Sequence, residues 1–355
     1  MLRVAPLPRY DAAQTYRWNY EHAPEPVAVD VPDVPGEWSF CGLPVGSPLG
    51  VPAGPLLNGR WVLYYASLGF DVLTYKTVRS AARECYPLPN LQPVAIERLA
   101  GDESEVAASA EMRGSWAVSF GMPSASPDTW RPDIERTREK LPAGKVLSVS
   151  VVGSVQEGWT IDDLAGDYAR CARWAVDAGA QCIETNFSCP NVATCDGQLY
   201  QQPESARDVA ARVREEIGRV PLIAKLGHVT RAEEADALLE SLAPLVDAFA
   251  MTNSVAATVR KPDGELLFDG ERRGICGDAT RAASIAQTRL FAERARAHGH
   301  SIRLIGVGGA STAEHVRDYL AAGAEAVHLA TAAMVDPGVA LRIRADSGWG
   351  AKPQA

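Results

Sequence analysis

The chain has 355 residues, 46% apolar and 22% charged, with a net charge of −9 and an isoelectric point near 5.3. That supplies a core for two small domains or for one large α/β barrel with extensions. An acidic balance without any dense Lys/Arg block argues against a nucleic-acid partner, and no apolar run approaches the roughly 18 residues of a membrane span.

Residues 1–45 are rich in proline and aromatics (Tyr10, Tyr16, Trp18, Tyr20, Trp38) and read as an arm. It is expected to pack on a barrel spanning 46–345, with 346–355 as a frayed tail. The opening Met1–Pro6 lacks the apolar core of a signal peptide. Seven scattered cysteines with no Cys-x-x-Cys pair fit a reducing cytoplasm and argue against disulfides, structural zinc or an iron–sulfur cluster.

From residue 69 onward, eight short apolar runs read as buried strands. They are Phe70–Val78, Ala117–Met122, Val146–Val152, Gln181–Asn186, Leu222–Leu226, Ala248–Asn253, Arg303–Val307 and Ala326–Ala330. Helical patterns separate most of them: Ile161–Ala178, Ser205–Ile217, Ala232–Leu245, Ala279–His298 and Thr312–Ala322. Thr160 with Asp163 and Ser311 with Glu314 have capping-box spacing. Gly69, Gly179 and Gly323 stand where a helix hands over to a strand. Alternating β and α units predict a TIM barrel; an open doubly wound sheet would need a Gly-x-Gly-x-x-Gly after its first strand, and none is present. The long stretch Ser80–Trp116 is expected to cover the top of the barrel near the second strand, and Val255–Asp278 lies between the sixth strand and the next helix, with a tight turn at Lys261-Pro262-Asp263-Gly264.

Such a barrel keeps its site at the C-terminal ends of its strands. Those ends carry Lys76, Ser119, Ser150 with Gly153, Asn186 with Cys189, Lys225, Asn253, Gly308 with Gly309, and Thr331. Cys189 lies in Asn-Phe-Ser-Cys-Pro-Asn, residues 186–191, a thiol between two amides on a loop that Pro190 stops from continuing as strand. It reads either as an acid/base or as a packed, inert thiol. Lys225 closes an otherwise apolar run and either meets a fixed anionic or electron-rich partner or snorkels out. Gly308-Gly309 feeding a helix capped by Ser311 makes a phosphate cradle of backbone N–H groups.

Together these residues resemble the dihydroorotate dehydrogenase family of FMN-dependent barrels. The resemblance runs from about Pro48 to Arg344. It rests on Ala53-Gly54-Pro55, Tyr75-Lys76-Thr77, Ser119–Pro123, Asn186–Asn191, Ala224-Lys225-Leu226, Thr252-Asn253-Ser254, and Gly306–Gly309 with Ala330-Thr331. It implies that Ala53, Gly54, Lys76, Thr77, Lys225, Gly277, Gly308, Gly309, Ala330 and Thr331 hold FMN. It further implies that Cys189 is the general base of the soluble branch, and that Asn186, Asn191, Asn253, Ser254 and Val118 face the substrate. The expected enzyme moves a proton through Cys189 and a hydride to flavin N5, with Lys225 offsetting charge on the reduced flavin. It takes a small cyclic amide and a soluble electron partner, uses no metal, and works in the cytoplasm as a homo-oligomer, a dimer.

Three positions depart from the family pattern. Val118 and Ser124 replace asparagines that open and close the second-strand motif, and Arg273 replaces the first glycine of a Gly-Gly-x-x-Gly segment. Valine in a site built on amides implies a changed substrate. Arg273 either reaches an acidic group of that substrate or is a surface arginine. The reverse, ene-reducing direction uses the same machinery. Two further readings are a flavin-binding scaffold without catalysis and a flavin-free phosphate-binding aldolase or isomerase with Lys225 as a Schiff-base lysine.

Overall fold

The computed structural model describes residues 6–188 and 198–350. Eight parallel strands close into a barrel: β1 (Leu49–Val51), β2 (Val72–Val78), β3 (Val146–Val151), β4 (Cys182–Asn186), β5 (Leu222–Lys225), β6 (Ala248–Met251), β7 (Arg303–Val307) and β8 (Ala326–His328). Helices Gly59–Ser67, Pro127–Lys140, Ile161–Asp177, Pro203–Ile217, Ala232–Leu242, Arg281–His298 and Ala313–Ala321 return the chain between successive strands. The short helices Thr331–Val335 and Val339–Arg344 follow β8.

One strand differs from the sequence reading. The run Ala117–Met122 is not a barrel strand; Ser115–Val118 belongs to a separate sheet, and the barrel is closed by Leu49–Val51 instead. Leu49 and Val51 are fully buried, whereas Gly50 sits between them with two prolines flanking the run, which hides a strand only three residues long. Ser119 therefore sits in the cover and not at a barrel strand end.

The insertions after β2 and β6 combine. Strands Leu91–Pro93, Ser115–Val118, Arg273–Gly277, Val255–Arg260 and Glu105–Ala107 form one five-stranded sheet in that order. Its one face, with Val94, Val106, Ala117, Val255, Ala257 and Ile275, makes a small core of its own. Trp116 on the other face joins the main core.

Local chemistry sets the helix ends. Thr160 and Asp163 form the reciprocal capping box expected of them. The helix after β7 is capped by Thr312, whose hydroxyl accepts from the His315 N–H at 3.2 Å, and not by Ser311. Gly179 and Gly323 have φ of 102° and 106°, as their place at the helix-to-strand turn requires. The arm is tied down by polar contacts: Tyr64 donates to the Pro8 carbonyl at 2.6 Å and Trp61 Nε1 to the Asn19 carbonyl at 3.0 Å. The hairpin Trp38–Phe40 with Leu43–Val45 plugs the N-terminal end of the barrel, where Phe40 packs with Val72, Val146, Cys182 and Ile223.

Candidate active site

Strand alternation sorts the barrel interior into layers. Nearest the plug lie Val72, Val146, Cys182, Ile223, Ala248, Ile305 and Ala326, all buried and apolar. Two residues further along the same strands come Thr74, Ser148, Glu184, Lys225 and His328, and beyond these, toward the mouth, Lys76, Ser150 and Asn186. Every one of these polar residues is buried. The register confirms their adjacency: Thr74 faces Ser148, Ser150 faces Glu184, and Lys225 faces Asn186.

Lys225 does not snorkel. Its ammonium lies 3.9 Å from the Glu184 carboxylate, with both side chains nearly sealed from solvent. The sequence calls for an anionic partner here without identifying it. The signal was present, since Glu184 is the one acid in the apolar run Gln181–Asn186.

A clasp of hydrogen bonds forms at the end of β4. Asn186 Oδ1 accepts from the Ser188 N–H and hydroxyl, each at 3.3 Å, and its Nδ2 contacts Met122 Sδ at 3.5 Å. Asn253, just past β6, donates Nδ2 to the Ser188 carbonyl at 2.8 Å. Two of the expected amides are thereby joined across one segment, immediately before residue 189. Cys189 and Asn191 lie outside the described residues. Ser254 and Ser188 line a polar opening of about 180 Å³ with Gly227, His228 and Tyr200.

A second cavity, of about 350 Å³, is lined by Gly277, Gly309, Ser311 and Thr331, with Arg113 and Arg342 at its walls. The backbones here approach so closely that a Cβ on Gly309 would lie 2.7 Å from the Gly277 carbonyl, and one on Gly277 2.2 Å from the Gly114 carbonyl. Thr331 Oγ1 is buried there with no partner among the described residues, the mark of a donor set awaiting an acceptor. Gly308 is held by Tyr319, whose hydroxyl donates to its carbonyl at 2.6 Å. Ala330 is the cap residue preceding the helix that Thr331 opens. Of the other expected cofactor residues, Ala53 is buried after β1, Gly54 has open space where a side chain would be, and Thr77 meets Ser150 through hydroxyls 3.0 Å apart. Volume and lining suit a phosphate-bearing ligand.

Val118 and Arg273 do not form one edge. Val118 stands opposite Gly274 and packs on the main core, whereas Arg273 shares the alternate face with Ala117 and Ile275. The Arg273 guanidinium donates to Ser119 Oγ at 2.9 Å and lies 5.6 Å from the Tyr86 ring and 5.3 Å from the Phe268 ring. Ser124 is used locally, accepting the Arg79 N–H at 3.1 Å.

His328, at the end of β8, carries no motif that marks it in the sequence. It is buried, stacked on Phe40 at 5.7 Å, and neither ring nitrogen has a partner among the described residues. Burial, with the Lys225 ammonium nearby, pushes its imidazole down to about 3. No group of three or more potential metal ligands occurs among the described residues, and none of their helices is long and apolar enough to cross a membrane.

Comparison with known proteins agrees with this architecture. A dihydroorotate dehydrogenase from Dictyostelium discoideum is 31% identical over 320 residues, covering 85% of this chain and 86% of its own. The catalytic subunit of a dihydroorotate dehydrogenase B (NAD(+)) from Desulforudis audaxviator is 31% identical over 61% of this chain and 67% of its own, and a dihydroorotate dehydrogenase (quinone) from Bordetella avium is 25% identical over 91% and 84%. Among solved structures, the Eimeria tenella DHODH in complex with ferulenol superposes with a TM-score of 0.73 at 20% identity, over 97% of this chain and 92% of that one, which speaks to the fold. The sequence-family model described as dihydroorotate dehydrogenase matches residues 37–346. With the barrel, the layered mouth and these matches in agreement, the chain belongs to the dihydroorotate dehydrogenase family and is an oxidoreductase.

Proposed function

We infer that this enzyme binds FMN and transforms a CH–CH bond beside a carbonyl in a small cyclic amide, the chemistry named for its relatives. The observation that carries the reading is the clasp in which Asn186 and Asn253 both grip Ser188, one residue before Cys189. It fixes the backbone immediately before Cys189, next to the strand that carries the buried Lys225, and supports the reading of that thiol as the group that removes a proton next to a carbonyl. Asn186, Asn191 and Asn253 then polarise that carbonyl and stabilise the enolate that develops. Cys189 exchanges the proton as thiolate and thiol.

The residues that would hold FMN are Ala53, Gly54, Lys76, Thr77, Lys225 and Gly277, with Gly308, Gly309, Ala330 and Thr331 toward its phosphate. When bound, FMN supplies the hydride acceptor. The unpartnered Thr331 hydroxyl and the close-packed glycines support a phosphate at that end.

In this reading the electron partner is soluble, the enzyme works as a cytoplasmic dimer, and Val118, where the family carries an amide, shifts substrate preference away from dihydroorotate. The test is to denature the purified protein and identify the released flavin, then titrate the intact protein anaerobically with dihydroorotate, dihydrouracil and related cyclic amides. FMN release and bleaching by one of them support the reading. Release of FAD, or no binding after reconstitution with FMN, overturns it.

A further inference from the structure

The interiors of such barrels are filled mainly by branched apolar side chains, yet the layer beneath the mouth here is polar. Thr74, Ser148, Glu184, Lys225 and His328 meet in it, and all are buried. Thr74 Oγ1, Ser148 Oγ, Glu184 Oε1 and both ring nitrogens of His328 have no hydrogen-bond partner among the described residues. Unpaired buried polar atoms cost stability, and a buried ion pair is often less stabilising than an apolar replacement. Such a layer is therefore poorly explained as a stabilising core.

The backbone has also been shaped to admit it. A Cβ at Gly50 would lie 2.3 Å from His328 Cδ2 and 2.5 Å from Nε2, so the imidazole occupies the space of the side chain that Gly50 lacks. Phe40 of the plug closes the layer from below by stacking on the same ring. Within this sealed volume His328 is neutral, which leaves Glu184, among the described residues, as the acid set against Lys225.

We propose that Glu184 is a positioning residue that fixes the Lys225 ammonium and sets how much of its positive charge reaches the flavin. The proposal rests on the FMN reading above. Reduction adds negative charge to the flavin, and a nearby ammonium favours it. A carboxylate 3.9 Å from that ammonium offsets part of the effect, in a medium where charges are weakly screened. Glu184 thus holds the flavin potential below the value that Lys225 alone would give, and Thr74, Ser148 and neutral His328 surround the pair without adding charge.

The experiment is a redox titration of the full-length holoenzyme, in wild type and in Glu184→Gln. The variant is expected to bind reduced FMN relative to oxidised FMN about tenfold more tightly, a rise in midpoint potential of about 30 mV for a two-electron couple. Thr74→Val, which removes a hydroxyl from the same layer but no charge, is expected to leave the potential where it was. Should Glu184→Gln fail to fold, Glu184→Asp keeps the charge but withdraws it by one methylene, and the potential should rise by a smaller step. An unchanged or lowered potential in the glutamate variants, or an equal shift in Thr74→Val, overturns the proposal. A wild-type protein that takes up no FMN on reconstitution defeats the flavin reading itself; one that holds FMN at the same potential in every variant defeats only the role of Glu184.

Discussion

Asn253 and Ser188 are joined by an amide-to-carbonyl hydrogen bond of 2.8 Å, which fastens the end of β6 to the segment leaving β4. Since Asn186 holds the same serine from the other side, residue 188 is fixed from two barrel strands at once. Asn253→Ala is expected to retain FMN while flavin reduction by substrate slows about 10²–10³-fold, the usual cost of losing one preorganised donor. Stopped-flow flavin absorbance would measure this; an unchanged rate would mean that the clasp is structural only.

Cys189→Ala is expected to fold and hold FMN, with flavin reduction slowed by about 10²–10⁴-fold. Cys189→Ser should regain part of that rate at high pH, because a hydroxyl is a weaker acid than a thiol and yields its basic form only there. An alanine variant with wild-type kinetics would leave this thiol no part in proton transfer.

Thr331 offers a test that reads ligand affinity and not turnover. Its buried hydroxyl lines the glycine-walled cavity with no partner among the described residues. Thr331→Val should weaken FMN binding by roughly tenfold or more, the worth of a hydrogen bond to a charged group, and leave riboflavin, which lacks the phosphate, bound as before. Equal losses for both flavins would move the phosphate elsewhere.

Acid stability should report on His328. Its ordinary pKa is about 6.5 and burial lowers it to about 3 in the folded protein. Between those values the unfolded chain binds a proton that the folded one refuses, so stability is full above pH 6.5 and falls as the pH drops. By pH 4.5 the loss from this group approaches about 3 kcal/mol. His328→Asn should therefore lose less stability than wild type between pH 7 and 4.5, measured by urea unfolding. Parallel curves would show that the imidazole is not held neutral.

Val118→Asn restores an amide on the sheet face that packs toward the barrel. It should raise activity on dihydroorotate about tenfold or more, since an unpaired amide edge costs roughly 1–3 kcal/mol. Wild-type turnover of dihydroorotate at rates on the order of 1–10³ s⁻¹, unaltered by the substitution, would show that Val118 does not decide the substrate.

Much of this molecule is legible in its sequence because buried parallel strands are written as apolar runs, and seven of the eight barrel strands follow from them. Leu49–Val51 escaped because three residues around a glycine carry no periodicity, and Ala117–Met122 took its place because a cover strand over a core is equally apolar. The helix Pro127–Lys140 was missed as well, having Pro132 inside it and a largely charged surface. At the candidate site, the positions of Lys76, Asn186, Lys225 and Asn253 at strand ends could be read from the apolar runs they close, whereas the Glu184 contact depends on two neighbouring strands in register. For Arg273 only the replacement of a glycine was readable; its bond to Ser119 and the strand alternation that turns it from Val118 were not.

The sheet over the mouth has a consequence for how such enzymes diverge. Arg273–Gly277 is flanked on one side by Val255–Arg260, from its own insertion, and on the other by Ser115–Val118, from the insertion after β2. Neither insertion completes the sheet alone, and each by itself would expose an unpaired edge open to aggregation. New pocket linings are thus constrained to arrive as a matched pair of segments from one donor. A chimera that takes both should fold, while one that takes either alone should lose the roof and stay insoluble, even though the barrel beneath is untouched.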